Sequence, residues 1–149
     1  MVRRMLIMAI TGLALGVFNA SAQAQGTASE AKAMLEKAVA AVKADKAKAI
    51  AMFNSGEGGF KDRDLYPFCF NISDGVTVAG PERVRGKDVR TLKDPSGKAY
   101  GTDLYNAAQD GKINTVDYEF PKPGTTNAVP KQSFVTKVDS LGCGVGYYK

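Results

Sequence analysis

Large and polar side chains alternate most clearly within residues 60–75, where Tyr66, Phe68, Phe70 and Ile72 interleave with Leu65, Pro67, Cys69 and Asn71. The run stops at Ser73-Asp74-Gly75, which is turn chemistry. Side chains of a strand point to opposite faces in turn, so the stretch predicts a first strand with three aromatics on one side. That aromatic floor is either plain core or the base of a small-ligand pocket. Val76-Thr77-Val78-Ala79 is the β-branched return strand of a hairpin. Val116, Tyr118 and Phe120 alternate with Thr115, Asp117 and Glu119 in a third strand with one wet face. Residues 131–138 and 141–148, joined at Asp139-Ser140, are the fourth and fifth strands, and residues 121–130 form the preceding turn.

Ahead of the strands the period changes to that of a helix. Thr27-Ala28-Ser29-Glu30 has the capping-box form. Ala31, Met34, Leu35, Ala38, Val39 and Val42 then recur on one face, opposite Lys32, Glu36, Lys37 and Lys43. Asp45 either caps a second helix carrying Ala49, Ile50 and Phe53 or marks a bend in one long helix. Residues 80–101 hold most of the Gly and Pro punctuation, with room for one-turn helices near Val84 and from Val89 to Leu92. Residues 102–110 predict a small helix capped by Thr102 or Asp103 and closed by Gly111. The order of elements reads as α+β with a mainly antiparallel sheet.

Composition narrows the chemistry. The chain has 149 residues, 44% hydrophobic and 23% charged, a size suited to one domain with a single core. It contains no histidine, which removes Ser-His-Asp and Cys-His nucleophile activation and His-ligated zinc or haem. The remaining catalytic option, Asp62 and Asp64 as paired carboxylates, reads more simply as loop charge. The expectation is a protein that is not an enzyme and has no metal or cofactor.

Residues 1–24 read as a signal peptide. Arg3 and Arg4 precede an apolar run over residues 5–18, too short for the roughly 20 residues of a membrane span, and Ala20-Ser21-Ala22 or Ala22-Gln23-Ala24 offers a small-x-small cleavage site. The short arginine-led leader points to the periplasm, with no stable membrane insertion after cleavage. Removing its two arginines lowers the formal charge from +5 to +3. With no basic run or arginine-rich stripe, nucleic acid is not an expected partner.

Six pieces in order resemble a known family: Gly59-Phe60-x-Asp62-x-Asp64-Leu65-Tyr66-x-Phe68, the Asp74-Gly75 turn, Val84-x-Gly86-Lys87, Leu92-Lys93-Asp94-x-x-Gly97-Lys98, Pro130-Lys131-x-Ser133-Phe134-Val135 and Gly142-x-Gly144-Val145-Gly146-Tyr147. They are similar to the single Cache domain, an extracytoplasmic sensor module of bacterial chemoreceptors and histidine kinases. The resemblance covers residues 25–149. Two positions depart from it: no tryptophan stands near Gly111-Lys112-Ile113, and Phe134 replaces a common tyrosine. The resemblance implies a PAS-like fold, a long N-terminal helix behind a five-stranded sheet, and a small-molecule pocket over the other sheet face. Short carboxylates are frequent ligands of such domains. The implied role is a free-standing periplasmic sensor acting through a membrane chemoreceptor or sensor kinase. The alternative is a module without a ligand that docks on a membrane receptor.

Cys69 and Cys143 are the two cysteines of the chain. An even count in an oxidising compartment favours a disulfide, and the resemblance brings the two together by making the first and last strands neighbours. If they share a face, Tyr66, Phe68 and Phe70 share the opposite one with Gly142, Gly144, Gly146 and Tyr148, where the glycines leave volume for a packed helix or a ligand. The expected ligand-binding set is Arg63, Tyr66, Phe68, Phe70, Tyr118, Lys131 and Ser133, in which the cations and the hydroxyl suit a carboxylate.

Overall fold

The computed structural model describes residues 25–149; the signal peptide expected over residues 1–24 lies outside them. Helix α1 (Ala28–Ala44) begins on a complete capping box. The Thr27 hydroxyl accepts from the Glu30 amide at 3.2 Å, and the Glu30 carboxylate accepts from the Thr27 amide at 2.8 Å. Asp45 decides between the two helical readings. Its extended backbone breaks the helix while its amide still bonds the Ala41 carbonyl. Its carboxylate accepts from the Lys48 amide at 3.0 Å, starting α2 (Lys46–Ser55). Gly56, with φ of 80°, closes α2 in the left-handed conformation that favours glycine.

The sheet comprises β1 (Pro67–Asn71), β2 (Thr77–Ala79), β3 (Asn114–Pro121), β4 (Ala128–Val138) and β5 (Leu141–Tyr148). Its order is β2-β1-β5-β4-β3, and every neighbouring pair is antiparallel. The fold is therefore α+β, PAS-like, with the first and last strands side by side.

Several boundaries differ from the sequence expectation, among them the end of the small helix, which stops at Ala107 rather than at Gly111. β1 is short because Asp62 and Leu65 bridge across a tight turn that holds Arg63 at φ of 55°. β4 starts at Ala128, ahead of Pro130, whose missing N–H is tolerated while its carbonyl accepts from the Lys149 amide at 3.0 Å. Helix α3 (Tyr100–Ala107) starts two residues before Thr102 without a side-chain cap. Thr102 instead donates to the Arg90 carbonyl at 3.1 Å, and Asp103 faces Lys98 at 3.6 Å.

Sheet parity divides the interior into two cores. On one face, Ala31, Leu35, Ala38, Val42 and Phe53 of the helices cover Cys69, Cys143 and Val145. On the other, Phe68, Phe70, Val116, Tyr118 and Val135 lie beneath Val84, Val89, Tyr100 and Leu104 from the β2–β3 connection and α3. Cys69 and Cys143 sit on directly paired positions with Cα atoms 4.1 Å apart, and their sulfurs are bonded.

The disulfide spans a sequence separation of 74. In the chain-entropy account, closing a loop of that length stabilises the fold by about 4 kcal/mol. Urea denaturation of the Cys69→Ala/Cys143→Ala double variant is expected to show a loss of that order with a steeper transition, because the denatured chain without the cross-link exposes more surface.

Candidate functional site

The face opposite the disulfide is built by interlocking rings and glycines. Phe68 pairs with Gly144 and Phe70 with Gly142 across β1 and β5. A Cβ at Gly142 would overlap the Phe70 ring, one at Gly144 the Phe68 ring, and one at Gly146 the Lys131 side chain and the Ser133 hydroxyl. The space expected beside the glycines is thus filled by the protein's own rings and by the stem of a lysine. What remains is a chamber of about 30 Å³ on the outer side of those rings, bounded by Phe68, Tyr66, Tyr100, Tyr118, Phe120 and Lys131. That volume suits about one water molecule.

Lys131 is the unusual member. It points inward from β4 and is only 2% exposed. Its ammonium donates to the Tyr66 hydroxyl at 3.0 Å and lies over three rings, with centroids at 4.5 Å for Tyr66, 4.8 Å for Tyr148 and 5.1 Å for Phe120. Among the described residues no carboxylate approaches within salt-bridge distance of it. Cation–π attraction offsets part of the cost of burying the charge, but an ammonium has three donors and here uses one. Burial pulls its pKa down to about 7, opposed by the more distant charge of Asp64.

The neighbouring phenols are held neutral. Burial raises Tyr118 and Tyr66 well above the ordinary tyrosine value. Tyr118 shares a 2.9 Å hydrogen bond with the Ser133 hydroxyl and stacks on Tyr100 with centroids 4.5 Å apart. Thr77 also lines the chamber; its buried hydroxyl has no hydrogen-bond partner among the described residues.

Six of the seven residues expected from the sequence, Tyr66, Phe68, Phe70, Tyr118, Lys131 and Ser133, come together on this face. Arg63 stands apart from them. Its guanidinium is 2.7 Å from Glu30, 3.0 Å from Asp62, and donates to the Gln25 carbonyl at 3.2 Å. Those hydrogen bonds raise Arg63 above the ordinary arginine range and pull Glu30 down to about 2. Asp62 is consumed by this clip, and Asp64 accepts from the Gly26 amide at 2.8 Å. Sequence reasoning left out Phe120, although it shares the alternation of Tyr118. It also left out Tyr100, which comes from a helix and carries no strand signal.

A second, open cleft of about 520 Å³ adjoins the chamber, with Tyr66, Pro81 and Phe120 lining both. Its rim carries Lys61, Arg83 and Lys122 against the single acid Glu82, together with Arg63, whose charge is already met by Glu30 and Asp62. The arrangement is a cationic vestibule leading to an apolar chamber with an unneutralised ammonium at its end, which suits a small anion with a little apolar surface. Among the described residues no cluster of three or more Cys, Asp or Glu side chains is placed to hold a metal ion, and no helix is long and apolar enough to cross a membrane.

A family model described as a Cache domain matches residues 31–148. Among solved structures, the chain is similar to a methyl-accepting chemotaxis protein from Vibrio parahaemolyticus, with a TM-score of 0.65 and 23% identity, covering 80% of this chain and 86% of that one. It is also similar to a periplasmic sensor domain of a chemotaxis protein, with a TM-score of 0.61 and 24% identity over 80% of this chain and 88% of that one. A third structure, described as showing carboxylic acid recognition by a Cache chemosensory domain, gives a TM-score of 0.60 and 22% identity over 78% of this chain and 84% of that one. No curated protein sequence matches. At these identities the structural likeness speaks for the fold.

The Lys131 cage has a measurable consequence in the protein alone. Below about pH 7 the amine is protonated in both folded and unfolded chains, so the cost of burying the charge is fully present. Between about 7 and the unfolded value near 10.5 the unfolded chain binds more protons, so stability rises with pH by up to about 1.4 kcal/mol per pH unit. The buried phenols act in the opposite sense only near pH 10 and above. Melting temperature is therefore expected to climb from pH 6.5 to pH 9 in the native protein. In Lys131→Met the climb flattens.

Proposed function

The chain belongs to the Cache domain family, and from that membership we propose that it is a periplasmic module that binds a small organic anion and reports it to a membrane signalling partner without transforming it. The observation that carries the reading is the Lys131 ammonium, buried on β4 with no carboxylate beside it and two donors unused among the described residues. An anionic oxygen entering the chamber supplies what the cage lacks, and a charge-assisted hydrogen bond in such surroundings is stronger than one in water. Tyr66 stands beside the same ammonium, Ser133 fixes the Tyr118 hydroxyl, and Phe68, Phe70 and Tyr118 wall the apolar part. Arg63 falls outside this ligand set, because two carboxylates already satisfy it. The similar structure described as recognising carboxylic acids agrees with this choice of ligand class. The periplasmic location rests on the leader sequence together with the sensor domain to which the chain is similar. The partner, a chemoreceptor or sensor kinase, follows from what Cache domains do in such receptors.

One observation favours a second reading, in which the module has no ligand and docks on a membrane receptor directly: the inner chamber is only about 30 Å³. A two-carbon acid enters only if a ring of the cage turns or the acid extends into the outer cleft. The two readings part in a thermal-shift experiment with two- to four-carbon organic acids at pH 6.5. Ligand binding is expected to raise the melting temperature by several degrees for at least one acid. Lys131→Met is expected to abolish the rise and Arg63→Ala to preserve it. Affinity is expected to fall as pH climbs from 6.5 to 8.5, because the anion selects the protonated amine. A flat panel would leave the docking reading in its place, and an undiminished response in Lys131→Met would take Lys131 out of the ligand site.

A further inference from the structure

Phe120, near the end of β3, is approached by two cations. The Lys131 ammonium lies 5.1 Å from its ring centroid and the Arg83 guanidinium carbon 5.6 Å. The two charges are therefore no more than about 11 Å apart, the limit set by those two distances. Lys131 belongs to the inner chamber and Arg83 to the outer cleft, and Phe120 and Tyr66 line both. Arg83 is exposed on the β2–β3 connection. It makes one hydrogen bond, to the Thr125 carbonyl at 3.3 Å. The only acid among the described residues lining the cleft, Glu82, is engaged by Arg85 at 3.3 Å, and no other carboxylate of the described residues forms a salt bridge with Arg83. Lys122, across the mouth, is already bonded to the Gln25 side chain.

Resting on the anion-binding reading above, we propose that Arg83 is a second anion-binding group and that the ligand class is short dicarboxylates, one carboxylate held by Lys131 and the other by Arg83. The fit is geometric. An extended four-carbon dicarboxylate, with hydrogen bonds of about 2.8 Å at both ends, reaches up to about 11 Å between an ammonium nitrogen and a guanidinium carbon, so it covers the largest separation that the two distances to Phe120 allow. It also removes the difficulty of the small chamber, because only one carboxylate occupies the inner volume while the rest lies in the cleft. Phe120 lines both spaces, so such a ligand bridges the two cations only with the Phe120 ring turned aside. A planar guanidinium binds a carboxylate through two parallel N–H groups, which Lys122 cannot reproduce. Arg83 thus determines specificity: a monocarboxylate uses the inner cation only.

The test compares succinate with its monomethyl ester, which keeps the length and one charge, by calorimetry and thermal shift on the native protein, Arg83→Met, Arg83→Gln and Lys131→Met. The expected result is at least tenfold tighter binding of succinate than of the ester by the native protein. Both Arg83 variants lose that difference, keep the ester's affinity and retain the native melting temperature without ligand. Equal affinities for succinate and ester in the native protein, or a ratio unchanged in both Arg83 variants, would overturn the role of Arg83. Lys131-dependent binding would still leave the anion-binding reading standing. Absence of binding by any acid, mono- or dicarboxylic, would overturn both.

Discussion

A pleated strand offers only two directions to its side chains, and the pairing of β1 with β5 commits each to a different purpose. Toward the helices the direct pair is Cys69 with Cys143, bonded and fully buried. Toward the loops, one residue to either side, the pairs are aromatic rings against glycines. A shift of one residue in this register would put the rings among the helices and the sulfurs among the loops. The covalent bond and the ring-on-glycine packing therefore select the same alignment. The aromatic floor, the cage and the vestibule all stand on it.

The parity argument was legible in the sequence because β1 and β5 are strands whose alternation shows which residues face each other. What the alternation could not tell was how the glycine volume is filled. The side-chain lengths of Phe68, Phe70 and Lys131 let them lie across Gly144, Gly142 and Gly146, so the hollow moved outward to the loop side. The second helix was left open in the sequence because Asp45 fits both a bend and a cap; its extended backbone settles the matter. The start of α3 was hidden for the opposite reason. Thr102 and Asp103 look like caps, but tertiary partners, the Arg90 carbonyl and Lys98, draw them away.

Cations show the limit of reading chemistry from residue type. Arg63 and Lys131 look equally suited to an anion in the sequence, yet their surroundings separate them. Arg63 lies in a turn between Glu30 and Asp62 and ties the start of α1 to the approach of β1. Lys131 projects into a cage of rings with nothing of opposite charge among the described residues in contact. The difference arises from β4 placing Lys131 on an inward position between Tyr118 and Tyr148 of its neighbours, a consequence of register that no local motif encodes.

The bond between Cys69 and Cys143 also has a topological side. Together with the backbone it closes a covalent ring holding every residue that roofs the chamber, from β2 through α3 to β4. Whatever motion admits a guest must be a change of shape within that ring. A single peptide cut in the long β2–α3 connection would still leave both fragments tethered, so the nicked molecule would run as one chain until its sulfurs were reduced.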